Sequence, residues 1–262
     1  MAALTLRRAA TVKRRFVLFS MPRTGSVMVA LRLCEHPEVY CHRAVFSRQG
    51  WPSSKDIFEA DLFGRLDQRW RDLARRIASP VAFVSALEGA TDERIVGLKH
   101  HFSGPVEVTR KLVADRGRKV VLTRSNLLAS YSSQKLVEVT GQGLARRGDD
   151  LRAGVCRFDV VEFEAYRARR EQVYQQWLPE IAKAEAPSMV IDYRAARTEA
   201  GIVAILDFLG VAAIPGSWPT LKRHGVQILD RFENPTDARA HLQLIGREDW
   251  IIEDDLPPPG AD

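Results

Sequence analysis

Three clusters in the chain carry residue types that can do chemistry together. The first is Met21-Pro-Arg-Thr-Gly-Ser-Val27, which follows a short apolar run and opens a helical pattern. A glycine turn at a helix N-terminus aims unpaired backbone N–H groups and a partial positive charge outward. Arg23, Thr24 and Ser26 add a guanidinium and two hydroxyls, so Arg23, Thr24, Gly25, Ser26 and Val27 make a cradle for a phosphate or sulfate. An ordinary strand–turn–helix junction with a Ser or Thr cap uses the same residues. The GxxxxGK[ST] loop is absent, since neither its spacing nor its Lys-Ser/Thr pair is present.

The second cluster is Thr123-Arg-Ser-Asn-Leu-Leu-Ala-Ser-Tyr-Ser132. Arg124 ends another apolar run and Ser132 follows eight residues later in a helical pattern. A cation and a hydroxyl there could hold a second phosphate; a surface ion pair and a helix cap are the plainer roles. The third cluster is histidine. His42 ends one apolar run and Lys99-His-His101 ends another. Alternate side chains of a strand share a face, so Lys99 and His101 point together and His100 points away. Adjacent histidines so arranged do not chelate one ion, and no metal is expected. An ordinary histidine pKa near ~6.5 suits His101 or His42 to accept a hydroxyl proton at neutral pH.

Elements that could position these residues are legible as short apolar runs alternating with longer helical patterns. Strands are expected over residues 15–20, 38–42, 94–101, 119–123 and 188–193, and a helix over 24–35. Ile57, Leu62, Leu66, Trp70 and Leu73 recur at helical spacing, as do Phe163, Tyr166, Val173, Trp177 and Ile181 in a longer helix ending near Pro187. Alternation of this kind implies the α/β class: a single-domain, three-layer α/β/α fold around a central parallel sheet. Strand order is not legible, and no internal repeat is present. One domain is expected over residues 12–250, with a basic tail at 1–11 and a Pro-rich acidic tail, expected to be disordered, at 251–262.

Composition narrows the class further. The chain has 262 residues, 27% of them charged, with 39 Lys and Arg against 33 Asp and Glu, a net charge of +6. That balance suits an anionic ligand as well as an ordinary basic surface. No nucleic-acid-binding motif is present and basic residues are interleaved with acids, so nucleic acid is not an expected partner. No apolar run reaches the ~18–20 residues of a membrane span, although peripheral contact with a membrane stays open. The basic opening leads into too short an apolar run for a secretory leader. Three cysteines without a CxxC point to reduced thiols and a cytoplasmic location.

Taken together, the first two clusters resemble those of the sulfotransferases that use 3′-phosphoadenylyl sulfate (PAPS), in particular the bacterial carbohydrate-type members. Phe19-Ser-Met-Pro-Arg-Thr-Gly-Ser26 is similar to the loop that binds the 5′-phosphosulfate, and Arg124 with Ser132 is similar to the pair that grips the 3′-phosphate. Val190-Ile-Asp-Tyr193, followed by Ile205-Leu-Asp-Phe-Leu-Gly210, resembles the strand with an adenine-side tyrosine and the helix after it. Lys222-Arg-His-Gly and Arg231-Phe-Glu-Asn234 resemble the closing nucleotide loop. The likeness runs in order over residues 15–240.

This resemblance implies a P-loop-NTPase-like sulfotransferase fold and sulfuryl transfer from PAPS to a hydroxyl, with a carbohydrate or glycolipid as the expected acceptor. It implies that Arg23, Thr24, Gly25, Ser26, Val27, Arg124, Ser132, Tyr193, Lys222 and Arg223 bind the donor. Arg23, Lys99, His101 and His42 are the implied catalytic set. Two departures stand out. Arg23 replaces the usual loop lysine and is not an equivalent donor. Ala44 falls where carbohydrate-type members carry a glutamate base, which leaves His101 and His42 as substitutes. A P-loop kinase or NTPase, and a nucleotide-binding module without a base, are the alternatives. Residues 43–92 and 140–160 match no pattern and are expected to shape the acceptor pocket; Trp51, Phe58, Phe63 and Trp70 could line it, but at helical spacing the last three read as core.

Overall fold

The computed structural model describes residues 13–43, 45–47, 64–144, 149–218 and 225–253. Five strands are formed by the expected runs: β1 (Arg14–Ser20), β2 (Val39–His42), β3 (Ile95–His101), β4 (Arg118–Thr123) and β5 (Ser188–Asp192). All pair in parallel, in the order β2-β3-β1-β4-β5. The helices are α1 (Ser26–Leu33), α2 (Leu73–Ala78), α3 (Pro80–Ala90), α4 (Val106–Ala114), α5 (Leu127–Thr140), α6 (Val160–Lys183), α7 (Tyr193–Ala196), α8 (Glu199–Leu209) and α9 (Pro235–Leu244).

Both faces of the sheet are covered, which is why β1 reads as a continuous apolar run. Phe16 and Leu18 enter a core with α1 and α8, while Val17 and Phe19 enter one with α3, α4 and α6. The arrangement is a three-layer α/β/α fold. A third apolar cluster joins α5, the start of α6, α9 and the chain around Trp250 and Ile251. No helix among the described residues is long and apolar enough to cross a membrane.

Three local departures have identifiable causes. Tyr193 does not extend β5, because the Asp192 side chain accepts from the Arg194 amide at 3.0 Å and starts α7 instead. The helix expected from residue 24 begins at Ser26, since Gly25 is left-handed. The spacing through Leu66, Trp70 and Leu73 is no single helix. Asp67 caps a 3₁₀ turn, Gln68–Arg71, and Asp72 caps α2. Trp70 is buried against Phe83 in the core rather than lining a pocket. Ile251 and Glu253, just beyond residue 250, are both buried.

Candidate functional site

Parallel pairing with β1 at the centre brings the carboxyl ends of β1, β3 and β4 side by side, the edge where open α/β sheets bind ligands. The register opposes Ser20 to His101 on one side and to Leu122 on the other. The first loop leaves β1 through Arg23, which is left-handed at φ 64°, and Gly25, at φ 80°. Gly25 caps α1 without a side-chain bond, and no acid lies in the first turn, so the N-terminal amides of α1 keep their positive end unneutralised. A β-carbon on Gly25 would stand 2.5 Å from Tyr193 Cε2, so only glycine lets the loop close over that ring.

The loop's side chains are more engaged than the sequence suggests. Thr24 is buried and donates its hydroxyl to the Met21 carbonyl at 2.8 Å, which braces the turn. Arg23 reaches α5, donating to Ser133 Oγ from Nε at 3.1 Å and Nη2 at 2.9 Å, and to the Gly143 carbonyl at 2.8 Å. Ser26 is buried at the first position of α1, with Val27 half-buried beside it.

Arg124 directly follows β4 and joins the two motifs, since its Nη1 donates to the Arg23 carbonyl at 2.8 Å. The rest of its guanidinium clamps the Glu253 carboxylate, from Nε at 2.9 Å and from Nη2 at 2.5 and 2.6 Å. It stacks on the Tyr193 ring at 4.3 Å. Burial opposes its charge, but Glu253 and the tyrosine faces overcome that and hold it above the ordinary arginine value. Ser132 is fully buried, donates to the Ala129 carbonyl at 3.1 Å and accepts from Arg231 Nη1 at 3.1 Å. Arg231 Nη2 lies 4.0 Å from Glu253 Oε2. Two cations thus flank one carboxylate, and the second of them also holds the Ser132 hydroxyl.

On β3 the expected alternation holds. Lys99 Nζ lies 2.8 Å from His101 Nε2, while His100 turns away to Thr109 Oγ1 at 2.9 Å. His101 Nδ1 lies 3.0 Å from Ser20 Oγ and 3.3 Å from the Ser20 carbonyl. A protonated Lys99 donates to Nε2, which assigns the ring proton to Nδ1. Burial lowers Lys99 to about 8, with Arg43 and Arg23 adding to the effect and Cys41 opposing it. Burial, then the Lys99 charge, depresses His101 to about 3, so it is neutral at pH 7. His42 lies elsewhere. It is fully buried on the α3 face, its Nε2 is 3.0 Å from Thr91 Oγ1, and its ring meets Tyr40. Thr91 already donates to the Leu87 carbonyl, so His42 is the donor in that pair.

Two groups at the site, Glu253 and Arg170, were not among the residues singled out from sequence, whereas Arg231 opens the segment Arg231–Asn234 quoted there for its likeness to the closing nucleotide loop. Arg170, on α6, is 2% exposed and donates from Nη2 to the Pro22 carbonyl. Its phase gives it away, because Phe163, Arg170 and Trp177 are the buried residues of α6 at seven-residue intervals. Lys222, Arg223, Ala44, Trp51, Phe58 and Phe63 lie outside the described residues. No group of three or more His, Cys, Asp or Glu side chains able to hold a metal occurs among the described residues. Asp192, the acid at the end of β5, accepts from the amides of Ser125 at 2.8 Å and Arg194 at 3.0 Å, so it acts as a structural cap.

No protein-family model matches the chain, and no curated protein matches it. Among solved structures, a sulfotransferase from Alicyclobacillus acidocaldarius is similar at 15% sequence identity. The match covers 93% of this chain and 97% of that chain, with a TM-score of 0.44.

Proposed function

We propose that this protein transfers a sulfuryl group from PAPS to a hydroxyl acceptor and releases adenosine 3′,5′-bisphosphate. The observation that carries this reading is the 2.8 Å bond from Arg124 to the Arg23 carbonyl, which joins the two anion-binding motifs on one sheet edge. Glu253 adds a second support: a carboxylate held by Arg124 and near Arg231 marks that spot as one built for negative charge. The 3′-phosphate would take its place, with Ser132 and Arg231 as further partners. The amides of Ser26 and Val27 would receive the 5′-phosphate. Tyr193, beneath Gly25 and stacked on Arg124, would hold the loop and arginine in register rather than meet the base face-on.

In the reaction an acceptor oxygen forms a bond to sulfur as the bond from sulfur to the bridging phosphate oxygen breaks. The bisphosphate leaves with that electron pair, and the hydroxyl proton passes to His101 Nε2. Lys99 now occupies Nε2 at 2.8 Å; turning its ammonium to the bridging oxygen would both stabilise the leaving group and free the base. Replacing one cationic neighbour by an anionic donor would also raise the histidine from about 3 toward a useful value. Ser20 would hold the Nδ1 proton and orient the ring. His42, whose Nε2 is engaged by Thr91 on the other face, is assigned a structural role.

The test is turnover of labelled PAPS by the purified protein against a panel of sugars, glycolipids, phenols and amines. Release of adenosine 3′,5′-bisphosphate in step with a sulfated acceptor supports the reading. Binding without turnover favours a module that kept the cradle and lost the chemistry.

A further inference from the structure

Arg170 is a buried cation whose charge the protein does not fully answer. It is 2% exposed, yet Nε and Nη1 have no hydrogen-bond acceptor among the described residues. It donates from Nη2 to the Pro22 carbonyl and lies over the Tyr166 ring, 4.5 Å from Cζ, and the side chains of Tyr166 and Tyr174 favour its charge in part. The nearby acids are committed elsewhere: Glu171 and Glu164 pair with Arg167, Glu253 pairs with Arg124, and Asp192 caps α7. Burial lowers the guanidinium below its ordinary value, and Arg124 adds like charge. A buried charged donor left unmet is costly, and such costs persist in a fold where a ligand meets them.

The surroundings name the kind of ligand. Arg170 lines a cavity of about 360 Å³ shared with Thr123, Arg124, Tyr174, Asp192 and Trp250. Its bond to Pro22 sets it under the first turn of the anion loop, and its charge is felt at His101. The loop's own cation, Arg23, is directed instead to Ser133 and Gly143. We propose that Arg170 is the anion-binding cation for the 5′-phosphosulfate of the donor, supplied from α6 in place of a loop lysine. This rests on the sulfuryl-transfer reading above and goes beyond it by assigning a residue outside the resembling motifs.

The test compares adenosine 3′,5′-bisphosphate with adenosine 3′-monophosphate, which lacks the 5′-phosphate, by calorimetry on the native protein and on Arg170→Met and Arg170→Lys. In Arg170→Met, affinity for the bisphosphate should fall about tenfold while that for the monophosphate holds, with Arg170→Lys between the two. Without ligand, Arg170→Met should melt no lower than the native protein, since an unmet buried charge has been removed. Native protein that binds the bisphosphate while Arg170→Met binds it equally well would overturn the assignment. So would equal losses for both nucleotides, or failure of Arg170→Met to fold together with native-like binding by Arg170→Lys. If the native protein binds neither nucleotide, the sulfuryl-transfer reading itself fails.

Discussion

Arg124 and Glu253, 129 residues apart in sequence, form a buried two-nitrogen, two-oxygen clamp, with Tyr193 stacked on the guanidinium at 4.3 Å. The pair fastens the C-terminal stretch across the end of β4, in the spot assigned to the donor's 3′-phosphate. A phosphate could not take that spot while this carboxylate fills it, so on the proposed reading donor binding would release Glu253.

Glu253→Gln should therefore tighten adenosine 3′,5′-bisphosphate binding by about tenfold, because the competing charge is gone. The same change leaves Arg124 buried without its counter-charge and should lower unfolding stability by about 3 kcal/mol. Calorimetry and urea melts on one preparation read both signs. Tighter binding with lower stability is the expected combination.

His101 and His42 separate by what their loss affects. His101→Ala should reduce kcat by about 10²–10⁴-fold with little change in donor affinity. His42→Ala should leave kcat within a few-fold and cost about 1–3 kcal/mol of stability, since it strands the buried Thr91 contact. Steady-state kinetics beside thermal melts distinguish the two.

The pH profile has a definite sign. Lys99 is charged below about 8, and kcat/KM reports the free enzyme, so kcat/KM should fall as pH rises through about 8. His101 is neutral down to about 3, so no acid limb should appear between pH 7 and 5. Stability moves the other way. His100 and His101 both titrate near 3 when folded and near 6.5 when unfolded. The unfolded chain binds protons first as pH falls below 6.5, so the histidines' contribution to stability is complete above that value and lost on descending toward 3. The limiting slope is about 1.4 kcal/mol per pH unit for each histidine. Melts between pH 6.5 and 5 on the native protein and His100→Gln check this, with a shallower slope expected in the variant.

Gly25→Ala should disable the loop. The φ of 80° costs any other residue about 1 kcal/mol or more, and the added carbon meets Tyr193 at 2.5 Å. Bisphosphate binding should drop at least about tenfold, with partial recovery in Gly25→Ala/Tyr193→Ala, where the clash is relieved and the strain remains.

Much of the frame was legible because local signals and tertiary demands agree here. Runs such as Phe16–Phe19 are apolar on both faces, as a covered parallel strand requires, and the two-residue period put Lys99 and His101 on one side. Strand order was not, since nothing in β2 or β4 says which neighbour it will pair with. Arg170 was hidden in a charged run, Arg167 to Glu171, in which Arg167 forms ordinary solvated pairs with Glu164 and Glu171 along a helix. Only its phase with Phe163 and Trp177 marked it. Glu253 sits in an acidic, proline-rich ending that reads as a solvated tail, although Trp250 and Ile251 just before it form the anchor that carries it into the site.

Recognition of a 3′-phosphate at the end of β4 is read by calorimetry with adenosine 3′,5′-bisphosphate beside ADP. The bisphosphate should bind at least about tenfold tighter than ADP, with that advantage lost in Arg124→Ala. Equal affinity for the two nucleotides, or a preference for ADP that survives Arg124→Ala, would contradict it.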